Sequence, residues 1–188
     1  MRTFIAVELD EEVKQKIDTF IFKTYREIDK NKISWVKKEN LHITLKFLGE
    51  IDEKQVLTVK NVLKEILQSK ESFNISFEGL GVFPKINSPR VIWIGIKEGK
   101  DKLKTLADLI ESELSKEGFP KETKEFTAHL TIARVKQIKR INEIVDYIEK
   151  YKNQIFGTNK VTHITFFQSI LKPEGPEYIV IDKFRLID

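Results

Sequence analysis

The signals for secondary structure run through this 188-residue chain nearly twice in the same order, and that repetition restricts the fold more than any single motif does. Thr3 to Val7 forms a short apolar strand. Asp10 is placed to cap a helix that carries Val13, Ile17, Phe20 and Ile21 at helical spacing. Ile33 to Val36 and Leu41 to Leu48 follow as strands, and Gly49 ends the second of them. Asp52 then caps a helix with Val56, Val59, Leu63, Ile66 and Leu67 on one face, and Phe73 to Leu80 alternates as a fourth strand. Gly79, Gly81, Pro84, Asn87, Ser88 and Pro89 crowd the next stretch and mark a connection. Beyond it the order recurs. Arg90 to Ile96 is a strand, and Asp101 to Lys116 a helix with Leu103, Leu106, Leu109, Ile110 and Leu114 in one stripe. A strand lies within Phe126 to Val135, a helix over Ile138 to Tyr151, and two strands over Val161 to Leu171 and Tyr178 to Leu186. The match is near rather than complete: the second half lacks a clear short strand before Phe126. This predicts an α+β fold in which two pseudo-symmetric split-βαβ (ferredoxin-like) lobes, about residues 1–85 and 90–188, make one bilobal domain over 1–188.

Composition closes several routes. With no cysteine, the chain has no disulfide, thiolate nucleophile or cysteine-based zinc site. No apolar run approaches the ~20 residues of a membrane helix, and the opening MRTFIAVELDEE turns acidic too soon for a signal peptide. A cytoplasmic protein without a membrane partner is expected, and a monomer, since two lobes already supply a pseudo-dimer. The net charge of +4 is mild, but it suits an anionic substrate if the basic residues cluster. There is no G-x-S-x-G elbow, Walker loop or dinucleotide fingerprint.

The chain has three histidines, each followed two residues later by threonine: His42-Ile43-Thr44, His129-Leu130-Thr131 and His163-Ile164-Thr165. In a strand, residues i and i+2 share a face, so each pair presents an imidazole beside a hydroxyl, with the residue between them pointing into a core. Strict alternation puts His42, Thr44 and Lys46 on one face, opposite Leu41, Ile43, Leu45 and Phe47. It puts His129, Thr131 and Ala133 together and gives Arg134 the wrong parity to join them unless a bulge re-aims it. The repeat selects the pair. His42 and His129 occupy equivalent strands, whereas His163 lies in a strand equivalent to the stretch around Asn74 to Ser76, which has no histidine, and is read as structural. Phe47 and Trp93 read as core residues, and Phe83 in the connecting loop is better placed to touch a nucleic acid. Lys136, Lys139 and Arg140 could steer an RNA backbone or simply solubilise a helix start.

Two imidazoles across a cleft can act as acid and base together, because one can be neutral while the other is charged near pH 7. That suits in-line displacement at phosphorus, with the threonine hydroxyls donating to non-bridging oxygens. Two histidines without a third histidine or a carboxylate on the strand make a poor zinc site, so neither metal nor cofactor is expected.

LHITLKFLGE, FTAHLTIARV, GVFPKINSPRVIWIG and LKPEGPEYIVIDKFRL together resemble the 2H phosphoesterase superfamily, in particular its RNA 2′,3′-cyclic phosphodiesterase (2′-5′ RNA ligase) branch. The resemblance spans the chain, and its two H-x-T-x motifs fall on His42 to Leu45 and His129 to Ile132. It implies two sheets forming a V-shaped cleft, and hydrolysis of an RNA 2′,3′-cyclic phosphate to a 2′-phosphate. It also implies joining of a 5′-hydroxyl end through a 2′-5′ linkage, without metal or ATP. By the same analogy His42 is the proton donor, His129 the proton acceptor, Thr44 and Thr131 hold the phosphate, and Arg134 contacts substrate. Lys46, on the same face as His42, is a further candidate substrate contact. Ala128 stands where many relatives have proline, and Ser169 is a loose match to a serine near the last strand pair. Two other readings stay open: a non-catalytic RNA-end or nucleotide-binding module, and a phosphodiesterase for small cyclic nucleotides.

Overall fold

A computed structural model describes all residues from Met1 to Asp188. Nine strands and four helices alternate as β1 (Arg2–Glu8), α1 (Glu11–Thr24), β2 (Lys32–Trp35), β3 (His42–Glu50), α2 (Glu53–Leu67), β4 (Phe73–Phe83), β5 (Val91–Ile96), α3 (Lys100–Lys116), β6 (His129–Gln137), α4 (Ile141–Lys150), β7 (Ile155–Val161), β8 (His163–Lys172) and β9 (Gly175–Arg185). The strands form two antiparallel sheets, one ordered β3-β1-β8-β9 and the other β2-β6-β5-β4-β7. Aside from the extra edge strand β2, the two orders are equivalent: β3, β1, β8 and β9 match β6, β5, β4 and β7. The pseudo-symmetric α+β architecture is as expected.

The lobes, however, are not the two halves of the sequence. β4 leaves the first half to pair with β5, while β8 leaves the second half to pair with β1. Lobes drawn at 1–85 and 90–188 are therefore corrected to two sheets that each take strands from both halves. Periodicity marks which residues are strands but carries no label for the partner strand. Two other differences have local causes. β7 has no separate signal in the sequence, because Gly157 and Asn159 dilute its apolar character; it forms as an outer strand along β4. β4 continues through Gly79 and Gly81, which read as a connection. A Cβ on Gly81 would come within 2.2 Å of the Trp93 ring, so glycine here allows an indole to lie across the strand.

One core cluster of 38 buried residues runs continuously between the sheets and the helices. α3 packs on β3 and α2 on β9, while α1 packs on β7 and α4 on β4. Asp52 begins α2 with a reciprocal capping box: its carboxylate accepts from Gln55 N–H at 2.8 Å, and the Gln55 amide oxygen accepts from Asp52 N–H at 3.0 Å. Asp10 precedes α1 without a side-chain cap; its N–H instead donates to Asn159 Oδ1 at 2.5 Å. A small second cluster, Phe4, Ala6 and Phe167 with Tyr178 against it, covers the opposite face of the β1–β8 pair. That face forms one wall of the cleft. β3 and β6 approach each other where the sheets meet. The first sheet is curled enough that Asn40, just before β3, donates from Nδ2 to the Pro176 carbonyl of β9 at 2.9 Å, although β9 lies at the sheet's other edge.

Candidate active site

Each motif strand contains a bulge at the same place. On β3, Thr44 lies opposite Ala6 and Lys46 opposite Ile5, so Leu45 is an additional residue. On β6, Thr131 lies opposite Trp93 and Ala133 opposite Ile92, which makes Ile132 additional. An inserted residue reverses the alternation beyond it. His42 and Thr44 therefore share the cleft face with Phe47, and His129 and Thr131 share theirs with Arg134. Lys46 and Ala133 turn away at equivalent positions. The bulge on β6 supplies the condition under which Arg134 could join His129.

The imidazoles are mounted alike. His42 Nδ1 lies 2.7 Å from the Asn40 carbonyl, and His129 Nδ1 lies 2.7 Å from the Thr127 carbonyl, in both cases two residues upstream. A carbonyl only accepts, so both Nδ1 atoms carry a proton and both Nε2 atoms are the working nitrogens. His42 Nε2 lies 2.9 Å from Thr44 Oγ1 and in the neutral ring accepts from that hydroxyl. The His42 ring packs between Phe4, with centroids 4.9 Å apart, and Tyr178, which meets it edge-on at 5.2 Å. His129 meets Phe83 edge-on at 4.9 Å, and Phe83 in turn adjoins Trp93 at 5.3 Å.

Burial is the largest influence on both rings and lowers their proton affinity below the ordinary 6.5. The carbonyl on Nδ1 works against this in each case. The positive charges of Lys14, Arg134 and protonated His129 add to the depression at His42, and Arg134 adds to it at His129. Arg134 and His129 on one wall are thus close enough to act electrostatically on His42 on the other. Arg134 also lowers the proton affinity of the Tyr178 hydroxyl, although burial prevails and raises it.

The other expected residues divide. Lys46 is not a cleft residue. The bulge buries it to 3% exposure, with Nζ 2.7 Å from Glu111 Oε2. Phe47, a core residue by strict alternation, is instead 57% exposed on the cleft side. Trp93 also belongs to the cleft face rather than the core, opposite Thr131. His163 Nδ1 lies 2.8 Å from Thr162 Oγ1, and the ring does not border the cavity beside His42. Lys136, Lys139 and Arg140 are exposed at the far end of β6 from His129.

Two residues escape a reading of the sequence. Tyr178 covers His42 from β9, and its alternation within that strand is the only signal. Glu8 lies directly opposite His42. Its carboxylate accepts from Thr165 Oγ1 at 2.7 Å and pairs with Lys183 at 2.7 Å. Burial would raise the pKa of Glu8, but these partners outweigh it and hold the group below the usual 4.5, as an anion. Both residues line a cavity of about 380 Å³ that opens beside His42, with Lys14, Lys37, Asn40 and Phe167. No group of three or more His, Asp or Glu side chains is placed to hold a metal ion.

A family model described as LigT-like phosphoesterase matches the chain twice, over residues 7–93 and 94–178. The chain belongs to the LigT-like phosphoesterase family. The two matches divide the sequence near the start of β5, where the element order begins to repeat. A protein of Archaeoglobus fulgidus named RNA 2′,3′-cyclic phosphodiesterase is 42% identical over 178 residues, covering 95% of this chain and 96% of that protein. A protein of the same name from Methanocaldococcus jannaschii is 41% identical, over 98% of this chain and 100% of the relative. The crystal structure of TT0787 from Thermus thermophilus superposes with a TM-score of 0.80 at 26% identity, over 99% of this chain and 98% of the other. E. coli LigT complexed with 3′-AMP shares the fold, with a TM-score of 0.80 at 22% identity over 100% of this chain and 98% of the other. This LigT-like phosphoesterase thus has full-length relatives that share one named activity, and a fold already seen in crystals.

Proposed function

We propose that this LigT-like phosphoesterase hydrolyses RNA 2′,3′-cyclic phosphate ends to 2′-phosphates, with His42 as proton donor and His129 as proton acceptor. The observation that carries the reading is the matched mounting of the two rings. Each Nδ1 is committed to the carbonyl two residues upstream, which leaves the Nε2 of each ring as the atom that can exchange a proton with substrate. The full-length relatives named RNA 2′,3′-cyclic phosphodiesterase supply the substrate class.

In this mechanism a water molecule attacks phosphorus in line with the 3′-oxygen. His129 Nε2, which has no protein partner, takes the proton from the water as its oxygen bonds to phosphorus. The bond from phosphorus to the 3′-oxygen breaks, and His42 Nε2–H passes its proton to that oxygen, leaving a 3′-hydroxyl and a 2′-phosphate. Thr44, Thr131 and Arg134 donate to the non-bridging oxygens, where negative charge accumulates. Without substrate, both rings favour the neutral state. The charge of the bound diester favours a proton on one of them, so binding prepares the acid. If the 5′-hydroxyl of a second RNA replaces water, the same proton transfers produce a 2′-5′ linkage. No step requires metal, cofactor or ATP. We further propose that the protein acts in the cytoplasm as a monomer, since both walls of the cleft come from one chain. No helix is long and apolar enough to cross a membrane.

The test is turnover of an oligonucleotide with a 2′,3′-cyclic phosphate end in the presence of EDTA. His42→Ala and His129→Ala should each lose ~10²–10⁴-fold in kcat while remaining folded, and His163→Ala should stay active. Binding without turnover by the wild-type protein would make this a binding module. A faster reaction on cyclic mononucleotides than on RNA ends would move the substrate class to small nucleotides.

A further inference from the structure

Lys46 is the one charged residue of β3 that the bulge removes from the cleft, and the place it goes to has consequences for the histidines. Its ammonium bridges from β3 to α3 and beyond, donating to Glu111 Oε2 at 2.7 Å and to the Pro120 carbonyl at 3.1 Å. The second oxygen of the same carboxylate, Glu111 Oε1, accepts the backbone N–H of Glu122 at 2.9 Å. Pro120 and Glu122 belong to the stretch between Lys116 and His129, which has neither helix nor strand. That stretch ends in the Thr127 carbonyl that orients the His129 ring. Lys104 of α3 holds the stretch a second time, at Glu125, 3.1 Å away, but that contact is on the surface. The buried contact alone starts from the strand that bears His42. Its pseudo-symmetric position on β6 is Ala133, so the second half has no equivalent link.

We infer that Lys46 is a positioning residue: through Glu111 and Pro120 it fixes the stretch leading into His129 relative to the strand of His42, and so sets the separation of the two imidazoles. The inference rests on the two-histidine reading above. Lys46 touches neither substrate nor the reacting atoms. Its effect is geometric, and a displacement of about 1 Å at a reacting centre can cost on the order of 10²-fold in rate.

A single Lys46→Met change strands the Glu111 carboxylate, and instability could then obscure the result. The decisive protein is therefore the Lys46→Met/Glu111→Leu double variant, in which both charges give way to apolar side chains, an exchange that often leaves stability unchanged. In the double variant kcat on a cyclic-phosphate RNA end should fall roughly 10-fold or more, with KM within about 2-fold of wild type. With three histidines, imidazole proton resonances can be followed individually; those of His129 should move while those of His163 stay. Lys46→Arg, which keeps the charge and both acceptors, should recover most of the rate. A folded double variant with wild-type kcat and an unmoved His129 resonance overturns the inference. If the double variant does not fold, Glu111→Gln becomes the test: it keeps an acceptor for Glu122 N–H but weakens the grip on Lys46, and unchanged kcat and His129 resonance in that protein overturn the inference equally. The histidine variants separate the two claims: if His42→Ala and His129→Ala are inactive while these variants are fully active, only the positioning role is lost.

Discussion

At the scale of single residues, the depressed proton affinities of His42 and His129 tie stability to pH in a definite direction. Unfolded, each ring binds a proton near 6.5; folded, each does so only at lower pH, chiefly because it is buried. Below that ordinary value the unfolded chain takes up protons that the folded one refuses. The stability contributed by the neutral rings is therefore complete above about pH 6.5 and is lost as pH falls through 6.5 toward the folded values. Thermal melts between pH 7.5 and 5 should show Tm falling with acidification. A His42→Asn/His129→Asn double variant should show a flatter profile over the same range, and equal slopes would show that burial does not govern these rings. Arg134 carries a second prediction. It is exposed, makes no salt bridge and shares the face of His129 and Thr131. Arg134→Ala should lower kcat/KM by ~10–100-fold, and Arg134→Lys should recover little, because lysine lacks the planar fork that grips two phosphate oxygens. Full activity of Arg134→Ala would remove the residue from the site. His42, Thr44, His129 and Thr131 are legible in the sequence because period-two alternation holds up to the bulge. Lys46 and Phe47 are misplaced by the same alternation, because a bulge is set by how strands pair, which has no fixed local signature.

Among elements, the cleft floor depends on how β4 and β5 fit together. Trp93 lies over Gly81 and reaches Phe83, which packs on the edge of His129. The indole Nε1 is buried and has no hydrogen-bond partner among the protein's own groups. Gly81→Ala would place a methyl 2.2 Å from two carbons of that ring, and the ring must move. The cost should be about 1–3 kcal/mol, the usual range for overpacking, measured by urea unfolding. The displaced Trp93 should also change tryptophan fluorescence and slow turnover through Phe83 and His129. Unaltered fluorescence and rate would show that the indole does not support the site. From sequence, the glycine-rich stretch at 79–81 is legible as an interruption. That it accommodates a side chain from the next strand is not, because the partner belongs to another element.

The exchange of strands between halves is a property of the whole molecule. β1 lies between β3 and β8, and β5 between β6 and β4, so each sheet's central pairing crosses the midpoint of the sequence. A fragment ending near Ser88 would hold β4 without β5 and β1 without β8. Its complement would hold β8 without β1. Each would expose the apolar face of an unpaired strand, and the 38-residue core would be divided between them. The repeat in the sequence suggests separable halves, whereas the pairing requires joint folding. Fragments 1–88 and 89–188 should each lack the cooperative unfolding transition of the full chain, judged by circular dichroism and amide exchange. Mixed in equal amounts, they should regain both the transition and part of the phosphodiesterase activity, since β3 and β6, which meet in the full chain, come from different fragments. A first-half fragment that unfolds cooperatively alone would mean that the crossed pairings are dispensable. The cleft would then be an association of two independent units, and the spacing of the two imidazoles would have to come from the interface between them.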